Sequence, residues 1–364
     1  MISKTKRMIL LVLIVMFPSC IETHVINTVH KDGSISRRLI IRNDENEFPP
    51  ELIPVPFDST WATDTTWETG GPDKDGDTVT WVLTATREFA GVEEINEAYR
   101  NDRGSNRDLR RSAAFSKEFM WFTTKYRFSE RVEGVLTIEC PVSDFLSDEE
   151  LSFFYLPDEL KTMQRNGSDS LRIRELSDAV DRKSDQWLWT VLFREWIGIF
   201  YDRFGGHPEL AITKDDMLSK EPEVVELFIR DSSESGNNDA VFILLFGEEQ
   251  YRLLETEIDS ATKLLEDRID PCLSADDYGM EIRMPGRIVA SNGYADTQSD
   301  SASCGGILWT VSGDYFLNQP FEMWVESQVN NYWAWAVTFV FVLFVFSGFI
   351  IKRRTTLSRS EIIR

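Results

Sequence analysis

Histidine is almost missing from this 364-residue chain: only His24, His30 and His207 are present. Cysteine is scarce too, at four residues, and no Cys-x-x-Cys or Cys/His spacing reads as a zinc site. No metal set or cofactor is therefore expected. No nucleophile elbow, His-Glu-x-x-His, P-loop or dinucleotide fingerprint occurs. His24 and His30 share parity on one extended stretch, and His207 follows Gly205-Gly206 in a loop, so each reads as incidental. Carboxylates are the opposite case. With 61 Asp and Glu, pairs suited to glycoside hydrolysis exist somewhere, and that abundance is why none can be singled out. No catalytic residue is assigned, and the chain reads as a non-enzyme.

Positive charge is the other shortage. Lys and Arg number 39, for a net charge of −22. Residues 1–19 carry +3 and residues 332–364 carry +4, which leaves −29 on residues 20–331. Such a segment repels nucleic acid and anionic head groups, so a nucleic-acid partner is excluded. Hydrophobic content of 42% with 24 Phe excludes disorder.

Long apolar runs are confined to the two ends. Lys4, Lys6 and Arg7 precede Met8–Phe17, then Pro18, Ser19 and Cys20. A charged start, a short apolar stretch and a small residue make a secretory signal over 1–19, with Cys20 as the expected acylated residue. The usual lipobox has Leu at the place of Phe17 and a small residue at the place of Pro18, so ordinary cleavage near Cys20, or an uncleaved anchor, is the alternative. Cys140, Cys272 and Cys304 then remain. Cys272 and Cys304 flank one strand-rich stretch and could pair in an oxidising compartment. Cys140 closes an expected apolar strand, VLTIEC, and reads as a small buried residue.

At the other end, residues 333–351 read WAWAVTFVFVLFVFSGFII, without a charge. As a helix this stretch spans about 28 Å, close to the hydrocarbon thickness of a bilayer. Trp333 and Trp335 stand where an interfacial aromatic belt would lie, and Lys352, Arg353 and Arg354 where cytoplasmic charge would hold the end. One transmembrane helix with a short cytoplasmic tail, 352–364, is expected, and the bulk of the chain outside the cytoplasm.

Between these ends the period changes twice. Lys31-Asp32-Gly33-Ser34 predicts a hairpin continued by Ile35, Leu39 and Ile41. Prolines 49, 50, 54 and 56 mark an irregular connection. A second hairpin runs from Trp61–Thr69 through the turn Asp73–Asp77 to a return strand with Val79, Trp81, Leu83 and Ala85 on one face. The acidic turn fails the EF-hand spacing, since position 12 from Asp73 is Thr84. Gly91–Asp102 predicts a helix, Arg103–Arg111 a loop, and Phe119–Phe128 one strand of period two.

From Ser147 the period becomes helical. Ser147 with Glu150 is a capping box, and Thr213 with Asp216 opens another helix, bent or ended near Pro222. Leu188, Leu192, Trp196 and Ile199 predict a helix over 184–204, and Tyr251, Leu254, Ile258, Ala261 and Leu265 another over 247–269. Strands return after Cys272. The expected fold is α+β: an antiparallel β-rich extracytoplasmic domain formed by 20–144 and 271–331, an inserted helical subdomain at 145–270, and one C-terminal transmembrane helix. Early and late strands should share ladders, and both anchored ends should lie on one side of the fold.

The combination of Cys20 after a signal, HKDGSISRR, EFMWFTTKYRFSE, MPGRIVASN, ILWTVSGDYF and a final helix with a basic tail resembles uncharacterised envelope lipoproteins of Bacteroidetes. It is similar in layout to the LppM-type lipoproteins of actinobacteria. The resemblance implies a membrane-anchored outer domain that binds an envelope protein, glycan or lipid. Two other functions are kept beside it: a subunit of a membrane signalling or assembly complex, and a carboxylate-dependent hydrolase of an envelope polymer.

Overall fold

In the computed structural model, residues 21–44, 46–50, 53–69, 79–102, 109–165, 170–231, 238–274, 278–295 and 305–361 are described. Residues 1–19, read above as a signal, Cys20, Cys304 and the expected Asp73–Asp77 turn lie outside them.

The first hairpin pairs β1 (Ile21–Val29) with β2 (Ile35–Asn43). Its turn depends on Gly33, at φ 96°, a conformation that side-chain-bearing residues resist. The Asp32 carboxylate accepts from the Ser34 amide and hydroxyl at 3.1 and 2.7 Å. Val25, Ile35, Leu39 and Ile41 point into the core with no exposed surface. β3 (Ala62–Thr69) and β4 (Val79–Phe89) form the second hairpin, and β4 also pairs with β2. Helix α1 (Val92–Arg100) follows.

A seven-stranded sheet runs β3-β4-β2-β1-β7-β10-β9, and a four-stranded sheet runs β5-β6-β11-β8. Here β5 is Arg111–Met120, β6 Thr123–Val132, β7 Tyr278–Arg283, β8 Arg287–Ser291, β9 Tyr294–Ala295, β10 Ile307–Val311 and β11 Phe321–Asn330. Strands from both halves of the chain therefore meet in each sheet. Every ladder is antiparallel except β1·β7, which is parallel. A parallel pair needs a long crossover, and the whole helical stretch lies within the chain joining these two strands.

Several expectations are corrected. The stretch 119–128 is not one strand. Met120 pairs with Thr123, so Trp121 and Phe122 make a two-residue turn between β5 and β6. Nothing local marks that turn, which lacks Gly, Asn and Asp and in which neither residue has positive φ. The run ending at Cys140 joins no ladder. Instead the Val135 and Leu136 amides donate to the Phe316 and Leu317 carbonyls.

The helices are α2 (Asp148–Phe154), α3 (Asp158–Arg165), α4 (Ser170–Phe204), α5 (Lys214–Ser219), α6 (Glu221–Asp231), α7 (Asn238–Phe246), α8 (Glu248–Leu253) and α9 (Glu255–Ser274). Capping boxes form at Ser147 with Glu150 and at Thr213 with Asp216. The 184–204 helix begins earlier, at Ser170, while the 247–269 stretch is broken at Leu254 into α8 and α9. The 35-residue α4 is the spine of this part and is about 52 Å long. Val180 packs with Phe153 and Leu156. Farther along, Trp187 and Val191 enter the core between the sheets. Its last turns place Trp196, Ile197 and Phe200 in a separate core with Met217, Val224, Leu245 and Ile258.

The final helix, α10 (Tyr332–Glu361), leaves directly from β11. Gly33 in the β1–β2 turn meets the Phe115 ring, and the β7–β8 corner at Gly286 meets Gln328. Both turns thus lie toward the α10 end of the sheets. Arg111, opposite Val132 and so level with Phe321 at the far end of the four-stranded sheet, sits 5.9 Å from the ring of Tyr278, which pairs with Thr23. Strand β1 therefore runs toward the α10 end, and Ile21 starts at the opposite end. Ile21 and Tyr332 therefore lie at opposite ends of the sheets, while Cys20 itself is outside the described residues.

Candidate functional site

Strand β11 passes its direction into α10 through Asn331. The Asn331 amide donates to the Phe122 carbonyl at 2.8 Å. Its side-chain amide donates to the carbonyls of Met120 and Trp121, both at 3.3 Å, and accepts from the Thr124 hydroxyl at 3.1 Å. One asparagine thus binds the β5–β6 turn to the start of the helix. Aromatic rings extend the joint. Phe119 stacks on Trp333 with centroids 6.1 Å apart, Trp121 meets Trp333 edge-on at 5.5 Å, and Phe122 lies 4.3 Å from Trp335. The Trp121 indole N–H donates to the Thr338 hydroxyl at 2.9 Å. Despite these contacts, Phe119 is 55% exposed, Trp121 47%, Trp333 55% and Trp335 54%.

Of the residues singled out in the sequence, Trp333 and Trp335 are thus in this joint. Lys352, Arg353 and Arg354 fall on the later turns of α10. Cys272 is a buried free thiol pushed up to about 12 by burial and by nearby Asp314, so it is inert as a nucleophile. Its suggested partner, Cys304, lies outside the described residues. Cys140 is also a buried free thiol. Phe119, Trp121, Phe122, Asn331 and Thr338 were not singled out. The signal available was the uncharged Met-Trp-Phe at the centre of two polar-alternating runs.

The histidines make polar contacts but no catalytic arrangement. His30 Nε2 lies 2.8 Å from the Ser36 hydroxyl, which donates to Glu88 at 2.6 Å. A triad needs the acid on the imidazole, whereas here the carboxylate sits on the serine. His24 lies 3.5 Å from Glu281, and His207 lies 3.6 Å from Glu257. Burial penalises the Glu281 carboxylate, yet His24 and Arg283 together hold its pKa below the usual value. Among the described residues, no three His, Cys, Asp or Glu side chains converge as a metal site.

Among the described residues, two open clefts stand out. One, of about 510 Å³, runs between α2, α3 and α4 on one side and β10 with the turn after it on the other. Phe153, Phe154 and Tyr315 supply rings, and Lys161, Asp181 and Asp314 supply charge. Asp185, one turn from Asp181, has its pKa raised by burial and by that neighbour. The second, about 650 Å³, lies between the β1–β2 and β7–β8 turns and includes His30, Lys31 and Arg283. Comparison with protein-family models, with curated proteins and with solved structures finds no match to this chain.

Proposed function

We propose that this chain is a membrane-anchored cell-envelope protein. In this reading α10 crosses the bilayer, the sheets and helices stand on the extracytoplasmic side, and the basic tail lies in the cytoplasm. The observation that carries it is the exposure of Tyr332–Ile350, a helix apolar enough to cross a bilayer. A core helix of this composition would be covered by its own domain. Here only the first turns touch protein, and Phe339 to Phe346 are open on every face.

The bulk domain then acts as a non-enzymatic binding or structural module. The helices 148–274 form an insertion with its own core, set between β6 and β7. The cleft holding Tyr315, Phe154, Asp181 and Asp314 is the better ligand candidate. Rings beside carboxylates and hydroxyls suit a polyhydroxylated ligand such as an envelope glycan.

Protease added outside spheroplasts tests the topology. The expected result is loss of the bulk domain with an epitope at Arg364 retained. Cleavage of that epitope from outside rejects the reading.

A further inference from the structure

Trp121 lies on the β5–β6 turn, yet its indole nitrogen bonds to Thr338, six residues into α10. Six helical residues advance about 9 Å. If the apolar run of α10 begins at the edge of the hydrocarbon, the tip of this turn reaches past that edge. We infer that the Trp121-Phe122 turn is a membrane-inserted tip, sunk with the first two turns of α10 into the interfacial layer of the outer leaflet. The inference rests on the reading of α10 as a span.

Three observations fix lipid as the occupant. Large apolar side chains at a hairpin tip are costly in water, and Phe119, Trp121, Trp333 and Trp335 are each about half exposed. Their surface is continuous with the exposed apolar surface of α10, so no boundary separates the patch from the run that lipid would cover. Tryptophan also suits this depth, its ring apolar and its N–H polar.

The charges just behind the tip are mixed. Glu118, Lys125, Gln328 and Arg287 occupy one rung across β5, β6, β11 and β8, and its one carboxylate and two cations are all exposed. In a chain of net charge −22, this rung is net positive by one, with Arg287 on β8 away from Glu118, at the level where lipid phosphates would lie. The tip and α10 together give the domain two attachment points, which hold it upright rather than swinging on one joint.

The test uses the full chain reconstituted in phosphatidylcholine–phosphatidylglycerol vesicles. A small environment-sensitive fluorescent amino acid replaces Trp121, Phe344 or Asp64 in turn. Lipids brominated at defined acyl-chain depths then quench whatever lies in the bilayer. The expected result is quenching at 121 by bromines near the head groups, at 344 by bromines near the chain ends, and none at the exposed Asp64. Quenching at 344 without quenching at 121 overturns the inference while the span stands. Absence of quenching at 344 overturns the span, and the inference with it. The same probe in place of Phe119 guards against a local defect at 121, and must give the same shallow depth.

Discussion

Arg37 and Glu130 are both about 2% exposed and join the two sheets. The guanidinium donates to Glu130 at 2.9 Å, to Asn27 at 2.7 Å and to the Tyr99 hydroxyl at 2.8 Å, and Tyr99 in turn donates to Glu130. Burial pushes the Glu130 pKa up, and Arg37 opposes the rise. Removing one partner strands a buried charge, so Arg37→Leu should cost about 3–5 kcal/mol. R37L/E130L should cost less than R37L alone, because no charge is then left unpaired. Urea unfolding of the detergent-solubilised chain measures both, and equal losses would contradict the pairing. At the first turn of α2, the mostly buried Glu150 shows the opposite shift. Lys183 at 2.7 Å and the Ser147 amide hold its pKa down to about 2, against 4.5 for a free glutamate. A depressed carboxyl contributes stability above the unfolded pKa and loses it as pH falls. The contribution should therefore be complete above about pH 5 and fade between 4.5 and 2. Hydrogen exchange of α2 amides across that range should show the loss. Lys183→Met should flatten it, and an unchanged profile in K183M would reject the assignment.

At the scale of elements, Trp187 ties the helical spine to the sheets. Its indole is 2% exposed and donates to the Cys140 carbonyl at 2.8 Å. Trp187→Ala should cost about 3–5 kcal/mol and loosen α4 from the strands before the second helical core melts. Near-ultraviolet circular dichroism followed against temperature would then show two transitions, and a single unchanged one would refute it. The helix carrying Trp187 was expected over 184–204, but Trp187 stood outside the stripe of Leu188, Leu192, Trp196 and Ile199 read from the sequence. The Ser147–Glu150 capping box and the Asp-Gly turn were legible, because each depends on neighbours within a few residues. The Trp121-Phe122 turn was not, since Asn331 and Trp335, about two hundred residues away, hold it. The parallel β1·β7 ladder was hidden for the same reason: alternation reports which face is buried, not the direction of the partner.

On the scale of the whole molecule, the direction of β1 decides where a second anchor could attach. Ile21 begins at the end of the sheets remote from α10, and the ten residues of β11 between those ends span about 30 Å. Strand β1 is paired on both sides, with β2 from Ile21 to Val29 and with β7 from Thr23 to Thr28. Peeling its start away would break both ladders, so the strand should stay in place. If α10 spans a bilayer as proposed, an acyl chain attached next to Ile21 would start about 30 Å from that bilayer. It would have to enter a different lipid surface. Full-length protein acylated at Cys20, verified by mass spectrometry and reconstituted through α10 into one vesicle population, should tether a second, protein-free population. Cys20→Ala should not. Hydrogen exchange should find the Thr23 and His24 amides equally protected in both forms. If the acylated protein tethers nothing and those amides lose protection, β1 has opened to let the lipid reach the same membrane, and the two-surface arrangement is wrong.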